Sequence, residues 1–195
     1  MVGLQKENQK PPVKEHIGSH KLLTIPEITM EIDIRYDDEL RKKVRDGATD
    51  PPGWVDVITC GETDLTGDSD DGMKEYLTSF FTGLLQGLEE CTDGERTVFR
   101  TVNGPIYVVL EPLEGEAIRV WFCYRKNAAE TGGEPEPYEP AAIIGNEELV
   151  QAVVEAAGDF LEFVEDVNPE LVADSYDYQG LREDIEAVRK RYELN

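Results

Sequence analysis

The stretch "DLTGDSDDGMKEYL", residues 64–77, sets four aspartates and two glycines ahead of an apolar run. Its composition suits a calcium loop or the start of a helix. An EF-hand loop needs oxygen ligands at positions 1, 3 and 5, Gly at 6 and a bidentate Glu at 12. With Gly72 at position 6, position 1 is Gly67, position 3 is Ser69 and position 12 is Thr78, so only Asp71 fits. Starting at Asp64 keeps Asp64, Asp68 and Glu75 as ligands but puts Ser69 where the sharp turn needs Gly. The helix reading has fewer defects. Asp70 or Asp71 caps a helix beginning near Gly72, and the aspartates favour the positive end of its dipole. No metal site and no cofactor are expected.

Other chemical templates are thin. GxSxG, P-loop, GxGxxG and HExxH motifs are all missing. His16 and His20 stand four apart, as helix-borne metal ligands would, but beside Gly18 and Ser19 and with no Glu between them. Acid–base catalysis would therefore fall to carboxylates or tyrosines with shifted pKa values. Nothing in the sequence selects a pair from its 42 acids. A carboxylate-based hydrolase is an alternative by residue type alone, and a non-enzyme is preferred. Cys60, Cys91 and Cys123 are widely spaced with no CxxC pair, and read as reduced, buried thiols of a cytoplasmic protein.

What remains are surfaces. "ADSYDYQG" sets Tyr176 and Tyr178 among Asp174 and Asp177, on what reads as a loop after a helix end. Tyrosines ringed by acids make interfaces, the rigid ring anchoring while charge steers. The competing reading packs one of the two rings into the core. Tyr138, in "GEPEPYEP", is a weaker candidate of the same kind.

Charge favours a basic partner. The 42 acids stand against 19 Lys and Arg, a net charge of −23. Charge of this size speaks to solubility and partners rather than fold. It disfavours nucleic acid and anionic membranes, since phosphates would be repelled. No run approaches a membrane-spanning length, and the N-terminus lacks a signal-peptide core. Residues 1–25 carry a net +2, which leaves −25 on residues 26–195. With Pro11-Pro12 and little periodicity, residues 1–25 read as a flexible arm, and residues 26–195 as one domain. An acid-rich, lysine-poor composition also matches proteins of a high-salt cytoplasm, where the charge is solvent adaptation.

The elements that would position these residues follow from periodicity. Ile28, Met30, Ile32, Ile34 and Tyr36 alternate with polar residues, so residues 27–36 form a half-buried strand, followed by a short helix in "DDELRKKVRDG" and a second strand near 54–60. A helix over about 72–91 carries Phe80, Leu84 and Leu88 in an apolar stripe. Gly83 and Gly87 inside it each cost about 1 kcal/mol against Ala, so another element should approach closely there. Residues 95–125 read as a three-stranded meander, turning at Asn103-Gly104 in a type I′ turn and again at Glu114-Gly115. Trp121 and Cys123 imply that both faces of its last strand are covered. "KNAAETGGEPEPYEP" is a long loop, followed by the short apolar run "AAII". A helix capped by Asn146 covers about 147–167, Asn168-Pro169 opens a further turn, and a last helix covers about 180–192. The order argues for an α+β fold, an antiparallel sheet of the meander and the two earlier strands packed on three main helices.

The series "MKEYLTSFFTGLLQGLEEC", "YVVLEP…IRVWFCY", "EELVQAVVEAAGDFLEFV" resembles, in pattern and order, small acidic α+β immunity-type proteins of bacteria and archaea. That resemblance implies a non-catalytic protein that neutralises a toxin by binding and covering it. It carries over no residue.

Overall fold

The computed structural model describes residues 30–59, 63–66 and 72–194. The fold is α+β, with two open antiparallel sheets and six helices among these residues. The first sheet has the order β1-β2-β3, from Met30–Ile34, Pro52–Thr59 and Met73–Tyr76. The second has the order β4-β5-β6-β7, from Thr97–Arg100, Tyr107–Leu113, Ala117–Cys123 and Ala141–Gly145. The helices are α1 (Asp38–Arg45), α2 (Leu77–Thr92), α3 (Lys126–Thr131), α4 (Asn146–Val167), α5 (Pro169–Asp174) and α6 (Tyr176–Arg191).

Helix α4 is common to both sheets. It packs on β1 and on β6 and β7, while α6 lies across α2 and α4. Its buried stripe, including Val150, Val153, Ala157, Phe160 and Val164, has the spacing read from the sequence. Phe81 stacks on Phe160, with ring centres 5.8 Å apart. The two glycines of α2 mark the close approach expected of them. A Cβ on Gly83 would stand 2.8 Å from the Phe99 ring, and one on Gly87 3.1 Å from Leu110. Here β4 and β5 press against the helix with no room for a side chain.

Side-chain caps open two helices, and the one at Asn168 is the one expected. Asp37 Oδ1 accepts from the Leu40 N–H at 2.8 Å and opens α1. Asn168 Oδ1 accepts from the Leu171 N–H at 3.2 Å and opens α5. Trp121 and Cys123 are buried, so both faces of β6 are covered.

Six expectations are corrected. The strands form two sheets rather than one. Helix α2 begins at Leu77, not near Gly72, because Met73–Tyr76 pairs with β2 in the register Met73↔Val55 to Tyr76↔Pro52. Asp70 and Asp71 lie outside the described residues, as do Cys60, His16 and His20. Asn103-Gly104 is not a type I′ turn, since neither residue has positive φ. Its loop is shaped from outside, as Glu75 Oε2 and Oε1 accept the Val102 and Asn103 N–H groups, each at 3.0 Å. The turn at Glu114-Gly115 does have left-handed residues, Gly115 at φ 86 and Glu116 at φ 59.

The long loop after β6 contains α3, and the "AAII" run is β7, paired with β6 from Trp121↔Ala141 to Ala117↔Gly145. Asn146 is the first residue of α4 rather than its cap. Strand β7 runs into the helix with no linker, and the Asn146 N–H donates to Glu116 O at 2.9 Å. The last helix begins at Tyr176, one turn earlier than its apolar stripe suggested, because Ser175 caps it.

Candidate functional site

The early start of α6 decides the fate of the two tyrosines. Residues two apart on a helix point to nearly opposite sides. Tyr178 is fully buried, its ring centre 6.3 Å from that of Phe160, and its hydroxyl donates to Ala48 O at 3.0 Å. Burial pushes its pKa above the usual tyrosine value. Tyr176 is 87% exposed. One ring is therefore core, and the other stands in solvent.

Tyr176 borders a groove of about 400 Å³ between α2 and α6. Its walls are single stripes of each helix: Thr78, Thr82 and Gln86 on α2, and Asp177, Gly180, Leu181 and Asp184 on α6. Asp50 and Glu183 complete an acidic lining that contains no Lys, Arg or His. The acids do different things. Asp50 caps α2, with Oδ1 accepting from the Thr78 and Ser79 N–H groups at 2.9 and 3.2 Å. Asp184 Oδ2 accepts from Gln86 Nε2 at 3.2 Å. Burial raises the Asp184 pKa, and the Gln86 hydrogen bond opposes the rise. Asp177, in the first turn of α6, suits the helix dipole and is exposed.

Of the candidate interface residues, the groove brings together Tyr176 and Asp177. Asp174 is exposed at the end of α5, outside the groove lining. Tyr138 is 65% exposed, in the connection between β6 and β7, and also outside it. Asp50, Gln86, Glu183 and Asp184 were not anticipated. The 177, 180, 184 spacing of one helical face is readable once the helix is started at Ser175. Asp50 gives no local signal, because the N-terminus that it caps lies 28 residues downstream.

Two buried carboxylates lie elsewhere, and both organise backbone. Glu75, 1% exposed, accepts from Tyr76, Val102 and Asn103 N–H groups. Burial raises its pKa against those bonds. Glu139, 4% exposed, receives Arg125 Nε at 3.2 Å and Nη2 at 2.9 Å, with the Tyr124 and Glu136 N–H groups. Burial pushes its pKa up, but those donors outweigh burial and bring it down to about 2.

Neither described thiol is activated. Burial pushes Cys91 up to about 12 and raises Cys123. Among the described residues no cluster of three metal-ligating side chains occurs, and no helix is long and apolar enough to cross a membrane. No protein-family model, curated protein or solved structure matches the chain.

Proposed function

We propose that this chain is a non-catalytic binding protein whose α2/α6 groove receives a basic surface of a protein partner. One observation carries the reading. Tyr176, 87% exposed, stands at the rim of a groove whose charged lining residues are all acids. A partner's Lys or Arg side chains would meet Asp177, Glu183 and Asp184, and the Tyr176 ring would bury against the partner. Acids that steer encounter around an aromatic anchor are the ordinary anatomy of a tight interface. An inhibitor or immunity-type role, covering a basic toxin, follows from the resemblance in pattern. The free buried thiols Cys91 and Cys123 suit a reducing, cytoplasmic setting.

The test is capture from a native extract by the full chain, Tyr176→Ala, an Asp177→Asn/Asp184→Asn variant and a control at Glu162 and Glu165, which lie outside the groove lining. The expected partner is basic, retained by wild type and control and lost by both groove variants. A partner that is acidic, or that both groove variants retain undiminished, overturns the reading.

A second reading has its own observation. Glu155, Asp159, Glu162, Glu165 and Asp166 stand exposed along α4, away from the groove lining. Acids spread in this way suit a salt-rich interior. Salt then acts on folding rather than on a partner.

A further inference from the structure

Strands β6 and β7 are antiparallel neighbours, which a hairpin of a few residues can join. Instead residues 124–140 leave the sheet, form α3 over its outer face and return. Beneath α3 lies a small cluster of Val109, Trp121, Cys123, Ala128 and Ala129, distinct from the main core. The inner face of the sheet is buried by two long helices, and its outer face by this one short helix.

The two ends of the segment are fastened to each other. Arg125, at its start, grips Glu139, at its end, through Nε–Oε1 at 3.2 Å and Nη2–Oε2 at 2.9 Å. Its middle is held by Arg96 donating to Ala129 O and by Arg119 Nη1–Glu134 Oε2 at 2.7 Å. Closing it also has a cost. Arg96 Nη2 and the Trp121 indole N–H are buried with no acceptor among the described residues. Buried donors without partners oppose the closed state, and solvent would satisfy both.

We propose that residues 124–140 are a clasped strap that lifts from the four-stranded sheet as one unit, while both sheets and α2, α4 and α6 stay folded. Lifting uncovers the row Val98, Val109, Trp121 and Ala141 and hands the two donors to water. The Arg125–Glu139 clasp keeps the strap's ends together, so that they open as one.

Native-state hydrogen exchange on the full chain tests this. The Ala129 and Gly133 amides, bonded to Arg125 O at 3.0 Å and Ala128 O at 2.9 Å, should exchange with the Trp121 indole through one shared opening. That opening should be at least a hundredfold more frequent than that of the α4 amides, with a smaller denaturant slope. Glu139→Gln or Arg125→Lys should abolish the shared opening, so that the Ala129 and Gly133 amides no longer exchange together with the Trp121 indole, and leave α4 unchanged. Exchange of strap and α4 in one global step overturns the proposal. So does fast amide exchange with a slow indole, which is fraying of α3 alone. Should a clasp variant fail to fold, the wild-type denaturant series decides by itself.

Discussion

Asp50 and Ser79 join the start of α2 to the turn before β2. The Asp50 carboxylate accepts the Ser79 N–H through Oδ1 at 3.2 Å and the Ser79 hydroxyl through Oδ2 at 2.5 Å. A helix N-terminus leaves four N–H groups without intrahelical partners. Here a carboxylate from 28 residues upstream takes one more of them, that of Thr78. Asp50→Ala should therefore lower stability by about 1–2 kcal/mol, and Asp50→Asn by much less. Urea unfolding measures both. Equal losses would assign the effect to charge in the groove rather than to the cap.

The paired tyrosines separate core from surface in one experiment. Tyr178→Ala should cost about 3–5 kcal/mol, as large aromatic truncations in cores do. Tyr178→Phe loses only the hydrogen bond to Ala48 O and should cost about 1 kcal/mol. Tyr176→Ala should stay within about 0.5 kcal/mol of wild type, as a substitution on open surface. Thermal or chemical unfolding of the three variants should rank them in that order.

Gly180 offers a gain. It lies inside α6, and a Cβ there meets nothing within 4 Å. Glycine within a helix costs about 0.5–1 kcal/mol relative to Ala, so Gly180→Ala should stabilise the chain by that amount. Gly180→Trp should fill the groove and block a partner without unfolding the protein. An unfolded Gly180→Trp variant, judged by circular dichroism, would contradict the open space seen there.

Much of the fold is legible because its signals are local. The cap at Asn168, the α4 stripe and the turn at Gly115 each follow from residues near in sequence. The misreadings share a cause in long-range partners. Met73, Tyr76 and Phe80 fit a helical stripe, while Met73 and Glu75 also fit strand alternation with an acid pointing inward. The N–H groups of Val102 and Asn103, 27 and 28 residues away, help to make that inward acid tolerable. The same carboxylate reshapes the Asn103-Gly104 loop. The groove was half legible for the same reason. Tyr176 and Asp177 announce themselves by composition, whereas Asp184 belongs with Gln86 only because α6 folds back across α2.

Acid should unfasten the clasp. Glu139 has its pKa depressed in the folded state, to about 2 from an ordinary value of 4.5. Its contribution is therefore present above the unfolded value and disappears as pH falls from about 5 to 2. A tenfold change in proton affinity between folded and unfolded chains is worth about 1.4 kcal/mol, so that contribution is on the order of 3 kcal/mol. The stability difference between wild type and Glu139→Gln should shrink steadily across this window. A difference that is constant from pH 6 to 2 would show that the clasp does not depend on the carboxylate charge.

Salt distinguishes the two roles of the acids. The chain carries 42 acids against 19 bases, and the exposed acids of α4 repel one another in the folded state. Among the described residues Arg182 meets one of these α4 acids, Glu165, at 3.3 Å at the exposed edge of α6. At 1 M salt the screening length falls to about 3 Å, shorter than most spacings between surface carboxylates. Unfolding free energy should therefore rise from low to molar sodium chloride. A partner held by the groove should respond in the opposite sense. Its association rate should fall steeply with salt while dissociation changes little, because rim acids act on encounter. Stopped-flow binding and urea unfolding, run over one salt series, read both effects. If stability is flat while association slows, the acids serve the partner. If stability climbs and association is indifferent to salt, the charge serves the solvent, and the groove reading falls.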